Sequence, residues 1–206
     1  WYADTRKPEP LSTFSERSKF SFAGREYQLL SVPSGETLDS LLVWMPNEKI
    51  VFTGNFLGAI QGALPNFYTA RGDRQRSVGR WFEDIELLLS LNAEVLVTGH
   101  DNPIIGATTV NAYLSKIRDA IRHIHDETVK GMAEQKSLWA LMADIQLPAH
   151  LTPSDGRCPT SWIVRAIWEE YTGWFRAELT SELYATPPQS IWPELAAMAG
   201  GVDALV

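Results

Sequence analysis

The spacing of the hydrophobic residues changes near residue 107, and this change limits the possible folds more than any other feature. Before it, short apolar runs end at proline or glycine; after it, apolar residues recur at helical spacing. Strands mixed with a helix indicate an α/β layer, whereas a run of helices alone indicates an all-α part. The sequence therefore predicts two domains, an α/β domain at residues 1–107 and an all-helical domain at residues 108–206.

Apolar runs predict four strands in the first part, at residues 25–32, 40–45, 48–54 and 94–99. The turn at residues 46–49, Pro-Asn-Glu-Lys, predicts that the second and third strands form a hairpin. A helix is predicted from Val78 to Leu89, because apolar side chains recur there at steps of three and four. The same spacing predicts the later helices at residues 109–135, 137–145, 160–172 and 190–199.

Composition excludes several classes of function. The 206 residues carry a formal charge of −7, which disfavours binding to nucleic acid. No apolar run reaches the roughly 18 to 20 residues that cross a bilayer, so no membrane association is expected. Cys158 is the only cysteine, which excludes an internal disulfide and a thiolate-rich zinc site. The sequence does not indicate a cellular compartment.

Two polar residues occupy loops next to predicted strands. His100 follows an apolar strand and a glycine, and Glu36 follows a turn glycine shortly before a strand. Such positions border the cleft where α/β proteins place their active sites, and a carboxylate with an imidazole is half of a typical zinc shell. A surface histidine and a turn-capping carboxylate are the alternatives that these residues leave open.

Several segments resemble, in order and spacing, the alkyl sulfatases of the metallo-β-lactamase superfamily. Those similar to the second half of the catalytic fold are PSGETLDSLLVWMPNEKIVFTGN (33–55), PNFYTARGDR (65–74) and EVLVTGHDNPIIG (94–106). Those similar to the dimerisation domain that follows it are YLSKIRDAIRHIHDETVKGM (113–132), LPAHL (147–151), VRAIWEEYTGWF (164–175) and MAGGVDALV (198–206). The resemblance implies the C-terminal half of a metallo-β-lactamase αββα sandwich followed by an all-α dimerisation domain.

The resemblance also implies a site. Its metal-binding positions fall on Glu36 and His100, where the family binds two zinc ions that activate water for attack on a sulfate ester. Its substrate-binding positions fall on Asn66, Tyr68 and Arg71, which would hold a small anionic ester. The chemistry of arginine agrees, because a guanidinium group suits a tetrahedral oxyanion.

Two residues and one motif depart from the family pattern. Asn55 falls at the metal position where the family has a bridging carboxylate, so the dinuclear site is weakened or altered. Asp101 falls where the family typically has a histidine that protonates the leaving group, and it is the catalytic candidate. The four histidines of the chain do not form the His-x-His-x-Asp-His motif, which we expect in an N-terminal half of the same gene product, upstream of Trp1.

Two functions follow from this pattern. One is a zinc-dependent hydrolase that cleaves alkyl sulfate or a related ester, with this chain as its C-terminal part. The other is a non-catalytic dimerisation or binding module with a degenerate metal site. In either case a homodimer through the helical domain is expected, because the aromatic-rich segment at residues 161–175 can form an association surface.

Overall fold

The computed structural model describes residues 12–58, 60–68, 76–173, 183 and 188–204. The strands in this part of the chain are β1 (Arg17–Phe22), β2 (Arg25–Ser31), β3 (Leu41–Met45), β4 (Ile50–Gly54), β5 (Val95–Thr98) and β6 (Ile104–Ile105). The α-helices are α1 (Val78–Ser90), α2 (Ala107–Ala133), α3 (Leu138–Asp144), α4 (Thr160–Thr172) and α5 (Trp192–Met198). Short 3₁₀ turns cover Pro188–Ile191 and Val202–Ala204.

The six strands form one mixed sheet in chain order, from β1 to β6. Neighbouring strands are antiparallel except for β4 and β5, which run parallel with Val51 opposite Leu96. Helix α1 connects this parallel pair, since parallel neighbours cannot be joined by a tight turn. The hairpin predicted between the second and third apolar runs is confirmed as β3 and β4.

Helix α1 is defined by a cap and an apolar face. The hydroxyl of Ser77 accepts a hydrogen bond from the Arg80 backbone N–H, and the Glu170 carboxylate accepts from the N–H groups of Val78 and Gly79. A carboxylate at a helix N-terminus is favourable, because the first N–H groups lack partners within the helix. The face that packs against the sheet contains Val78, Trp81, Ile85 and Leu88, all buried.

The long helices share the core of the sheet. Buried side chains of β3, β4 and β5, among them Leu42, Val51 and Leu96, belong to one cluster with Leu114 of α2 and Ile167 of α4. The described residues up to Glu170 therefore form one compact unit, and those from Tyr171 onward form a second. The predicted boundary at 107/108 falls inside the first unit, at the start of α2, and stays a prediction about domain organisation.

Both faces of the sheet are apolar. One face packs on α1, and the other presents a row of aligned side chains across β2 to β5: Leu29, Val43, Phe52 and Val97. We call this second surface the outer face; it also includes Leu41 and Ile105, and Phe20 and Tyr27, whose rings stack at 5.0 Å between centroids. Phe52 is 39% exposed and Ile105 73% exposed. A sheet with one solvated face normally alternates apolar and polar residues, so this pattern is typical of a sheet covered on both faces.

The predicted fold class, an α/β part followed by helices, is confirmed. Strands β1 and β6 were not predicted. On the outer face β1 has one serine followed by two phenylalanines, a run of only three side chains, and β6 has two residues, too few to show a period. No helix in the described ranges combines the length and apolarity that a membrane span requires.

Candidate active site

Three loops meet at one edge of the sheet. Strands β4 and β5 are parallel, so the loops that follow Gly54 and Thr98 leave the sheet on the same side. Strand β3 is antiparallel to β4, so the loop that precedes Leu41 lies on that side as well. These loops contain Glu36, Asn55 and His100.

Asn55 connects two of the loops. Its side-chain N–H group donates a hydrogen bond to Glu36 Oε2 at 2.8 Å. Its amide oxygen lies so close to Gly99 that a Cβ at position 99 would collide with it. The backbone also joins the loops, because the Gly99 N–H donates to the Gly54 carbonyl at 2.7 Å. The structure therefore puts Glu36 in contact with Asn55, and Asn55 against the residue that precedes His100.

His100 and Asp101 lie in the loop that follows β5, directly after Gly99. The His100 side chain is exposed, and its carbonyl accepts a hydrogen bond from the Thr98 hydroxyl. Asp101 has a φ of 68°, a left-handed conformation that aspartate tolerates better than most residues. Its carboxylate accepts from the Gln61 backbone N–H at 2.7 Å. Asp101 is thus oriented by the loop at residues 60–64.

The substrate-binding candidates lie in the loop between β4 and α1. Arg71 is outside the described residues. The side-chain oxygen of Asn66 is buried without a hydrogen-bond partner among the described residues, and the Tyr68 ring packs under the Arg165 guanidinium at 5.1 Å. A buried amide group without a partner is uncommon and costs free energy. Asn66 therefore has hydrogen-bonding capacity that a ligand could satisfy.

Arg76 is a site residue that sequence reasoning missed. Its Nε donates to the Glu36 carbonyl at 3.3 Å, and its Nη2 lies 4.0 Å from the Glu36 carboxylate. Its Nη1 donates to the Asn66 carbonyl, and only 10% of its side chain is exposed. Arg76 therefore connects the Glu36 loop to the Asn66 loop. The one indication in the sequence is its position directly before Ser77, the N-cap of α1, which fixes its place in the fold.

Asp84 of α1 is hydrogen-bonded to the loop that contains Glu36. Its carboxylate accepts two hydrogen bonds from Ser34, one from the hydroxyl at 2.6 Å and one from the backbone N–H at 3.2 Å. Burial raises the pKa of Asp84, while the hydrogen bonds from Ser34 and the charge of Arg80 oppose the rise. Because Ser34 is two residues from Glu36, Asp84 anchors the loop that carries the candidate ligand.

The donors in the described ranges do not complete a zinc site. Zinc takes at least three protein ligands, and no group of three or more His, Cys, Asp or Glu side chains in those ranges could hold a metal ion. Glu36 and His100 supply at most two donors. Asn55 presents an N–H group, not an oxygen, to Glu36. A metal centre at this edge would need further ligands.

Comparison with known proteins supports the resemblance. A linear primary-alkylsulfatase from Pseudomonas sp. is 32% identical over 203 residues, which cover 94% of this chain and 37% of that relative. A scan against protein-family models finds no match. The chain thus spans about a third of the length of this curated relative.

Solved structures agree on the fold. A stereoselective inverting sec-alkylsulfatase from Pseudomonas sp. matches with a TM-score of 0.79 at 22% identity, over 93% of this chain and 31% of that chain. A metallo-β-lactamase family protein from Thermus thermophilus matches with a TM-score of 0.54 at 16% identity, over 81% of this chain and 51% of that chain. The chain is therefore similar in sequence to an alkylsulfatase, and it has a fold that it shares with a sec-alkylsulfatase and with a metallo-β-lactamase family protein.

Proposed function

We propose that the protein to which this chain belongs hydrolyses alkyl sulfate or a related ester. The observation that carries the proposal is the 32% identity to a linear primary-alkylsulfatase over nearly the whole chain. In this proposal Asn66, Tyr68 and Arg71 bind the anionic group. Asp101 protonates the leaving alcohol, because it adjoins His100 at the edge where the three loops meet.

The proposal includes zinc, two ions as in the resemblance, with Glu36, His100 and Asn55 as the positions that this chain contributes. When bound, the metal would supply a water that is acidic enough to act as a nucleophile. Since the described donors do not complete a zinc site, the other ligands must come from elsewhere. We assign them to an N-terminal half of the same gene product.

The outer face supports this partner. Its exposed apolar side chains run across the sheet, and sheets that pack face to face bury such surfaces against each other. A second sheet from the N-terminal half would cover the outer face and could bring its ligands to the edge where Glu36 and His100 lie. The greater length of the matched alkylsulfatase is compatible with such a half.

A homodimer through the helical part completes the proposal. Trp139 of α3 is 58% exposed and Trp162 of α4 is 41% exposed. Exposed tryptophans are enriched at protein interfaces, because they bury a large apolar area and keep a polar N–H group. Analytical ultracentrifugation of the full-length protein measures the oligomeric state. We expect the wild type to be a dimer and the double variant Trp139→Ser, Trp162→Ser to be a monomer.

Metal content and turnover test the enzyme. In the full-length protein we expect Glu36→Ala and His100→Ala to lose bound zinc, measured by elemental analysis, and to lose hydrolysis of dodecyl sulfate. His150→Ala is the control, because His150 is an exposed histidine in the loop between α3 and α4. Zinc content that is unchanged in both site variants would contradict the proposal.

A non-catalytic binding module is the second candidate. The hydrogen bond from the Asn55 amide to Glu36 favours it, because this N–H group lies where a cation would approach the carboxylate. Absence of both bound zinc and turnover in the wild-type full-length protein would establish this alternative. Asn55→Asp then provides a further comparison, since a restored carboxylate should raise metal affinity if the site is degenerate only at this position.

A further inference from the structure

Helix α4 contacts the ring of one candidate substrate-binding residue. The guanidinium group of Arg165 lies over the face of the Tyr68 ring, 5.1 Å from its centroid. The Arg165 Nε donates a hydrogen bond at 3.0 Å to Glu169 Oε1, one helical turn further along α4, and Glu169 is buried. Because the Glu169 carboxylate orients the guanidinium group, the position of the Tyr68 ring depends on α4.

Stability alone does not require this arrangement. Aspartate and glutamate are seldom fully buried, because a carboxylate loses its hydration inside a protein. An apolar pair of similar volume would often stabilise the same interior position equally well. The buried Glu169 therefore has a consequence that an apolar residue would not give, since it fixes the direction of a cation that contacts the Tyr68 ring.

A second contact of α4 reaches the end of the same loop. The Glu170 carboxylate accepts hydrogen bonds from the Ser77 hydroxyl and from the Val78 backbone N–H, the latter at 2.7 Å. Ser77 directly follows Arg76, the residue that connects two loops of the candidate site. Helix α4 thus contacts the loop between β4 and α1 at Tyr68 and again where α1 begins.

We propose that Arg165 is a positioning residue for the anion-binding side of the site, and that it acts through Tyr68. The proposal rests on the proposed function, in which Tyr68 takes part in binding the charged end of the ester. A cation over one face of an aromatic ring stabilises that ring in one orientation. When the ring is already held before the ester binds, less conformational freedom is lost on binding, so the affinity is higher. Arg165 should therefore strengthen binding of the anion without contacting it.

Calorimetry with 1-decanesulfonate tests the proposal on the full-length protein, because this anion has no ester bond and is not hydrolysed. We expect Arg165→Met to weaken binding about threefold to tenfold. Arg165→Lys keeps a cation near the ring and should retain more of the affinity. In the Tyr68→Ala background, Arg165→Met should have no further effect, because the ring through which it acts is absent.

Arg122→Met is the matched control. The Arg122 guanidinium lies 4.2 Å from the centroid of the Phe82 ring, a contact of the same kind at a ring that is not a candidate site residue. It should leave the affinity for the sulfonate unchanged. If Arg165→Met does not fold, Arg165→Met with Glu169→Gln replaces it, because the buried carboxylate charge is then removed together with the guanidinium group.

Equal affinity in the wild type and in Arg165→Met, or the same loss from Arg165→Met with and without the Tyr68 ring, would overturn the proposal. Unchanged affinity in Tyr68→Ala would overturn it as well, together with the role proposed for Tyr68. Binding of the sulfonate needs no catalysis, so this result is separate from turnover. Non-additive effects without hydrolysis of dodecyl sulfate would refute the enzyme and support the positioning role; hydrolysis with additive effects would refute the positioning role alone.

Discussion

Arg76 contacts both the Glu36 loop and the Asn66 loop, although no sequence pattern identified it as a site residue. It is one of several arginines near the start of α1, and its side chain is buried against the backbone carbonyls of Glu36 and Asn66. Sequence reasoning placed the anion-binding role on Arg71, by resemblance, and had no means to identify the buried neighbour. The difference lies in burial, which depends on tertiary packing and not on residue type.

Replacement of Arg76 should cost stability as well as function. Arg76→Ala removes a buried guanidinium and its hydrogen bonds to two carbonyls, so we expect the free energy of unfolding to fall by about 2 to 4 kcal/mol. Arg76→Lys keeps the charge but loses the planar fork of the guanidinium group, so its stability should lie between those of the wild type and of Arg76→Ala. Urea denaturation measures both. Lys136→Ala, which breaks an exposed ion pair with Glu134, should change stability by less than about 1 kcal/mol.

Asp84 should make stability depend on pH. Because the pKa of Asp84 is raised in the folded protein, the folded state holds this proton more tightly than the unfolded state does. Its contribution to stability is thus complete below the unfolded pKa, near 3.8, and decreases as pH rises through the folded pKa. Asp84→Asn removes this dependence, so the variant should gain stability relative to wild type as pH rises above about 3.8. Parallel stability curves in urea would contradict this.

At the scale of secondary-structure elements, the sequence predicts best those elements whose hydrophobic pattern extends over many residues. The apolar stripe of α2 extends over many turns, and the helix predicted at residues 109–135 is observed at Ala107–Ala133. The predicted helix at residues 190–199 is observed at Trp192–Met198. Strands β1 and β6 were missed because their formation depends on pairing with β2 and β5, which a local sequence pattern does not show.

The candidate site also has a part that the sequence predicts and a part that depends on tertiary contacts. Glu36 and Asn55 are in direct contact in the structure, but this contact comes from the order of strands and from the missing side chain at Gly99. The roles of Glu36, Asn55, His100 and Asp101 stay predictions, as do those of Asn66 and Tyr68. Ser34 and Asp84 went unnoticed, because a serine and a helical aspartate far apart in sequence carry no local motif.

Gly131 tests the contact between α2 and α3. An alanine inside a helix normally stabilises it by about 1 kcal/mol relative to glycine. A Cβ at position 131 would instead collide with the buried side chain of Leu141, so we expect Gly131→Ala to lower the free energy of unfolding by about 1 kcal/mol or more. Gly156→Ala has open space around it and should be neutral or slightly stabilising in the same denaturation assay.

At the scale of the whole molecule, the outer face is the feature that most needs a partner. The outer face is either covered by a partner or exposed to water, and a polar substitution there costs a different amount of free energy in each case. If the face is covered, a polar group is forced into a packed interface; if it faces water, the same group costs little.

Phe52 distinguishes these states in the full-length protein. If a second sheet covers the outer face, Phe52→Ser should lower the free energy of unfolding by about 3 to 5 kcal/mol, as for a core phenylalanine. Val129 of α2 has a similar exposure, 36%, but lies outside the outer face, so Val129→Ser is the control and should have a small effect. Equal, small changes in both variants would show that the outer face remains in water.

The parallel pairing of β4 with β5 also has a kinetic consequence. Val51 and Leu96 face each other across this pair although all of α1 and its preceding loop separate them in the chain. Closing such a long segment is entropically costly, and proteins rich in distant pairings fold more slowly than those with local ones. The hairpins from β1 to β4 need no such closure. We therefore expect the loops with Asn55 and His100 to meet in a late folding step, so variants that loosen α1 should delay assembly of the site.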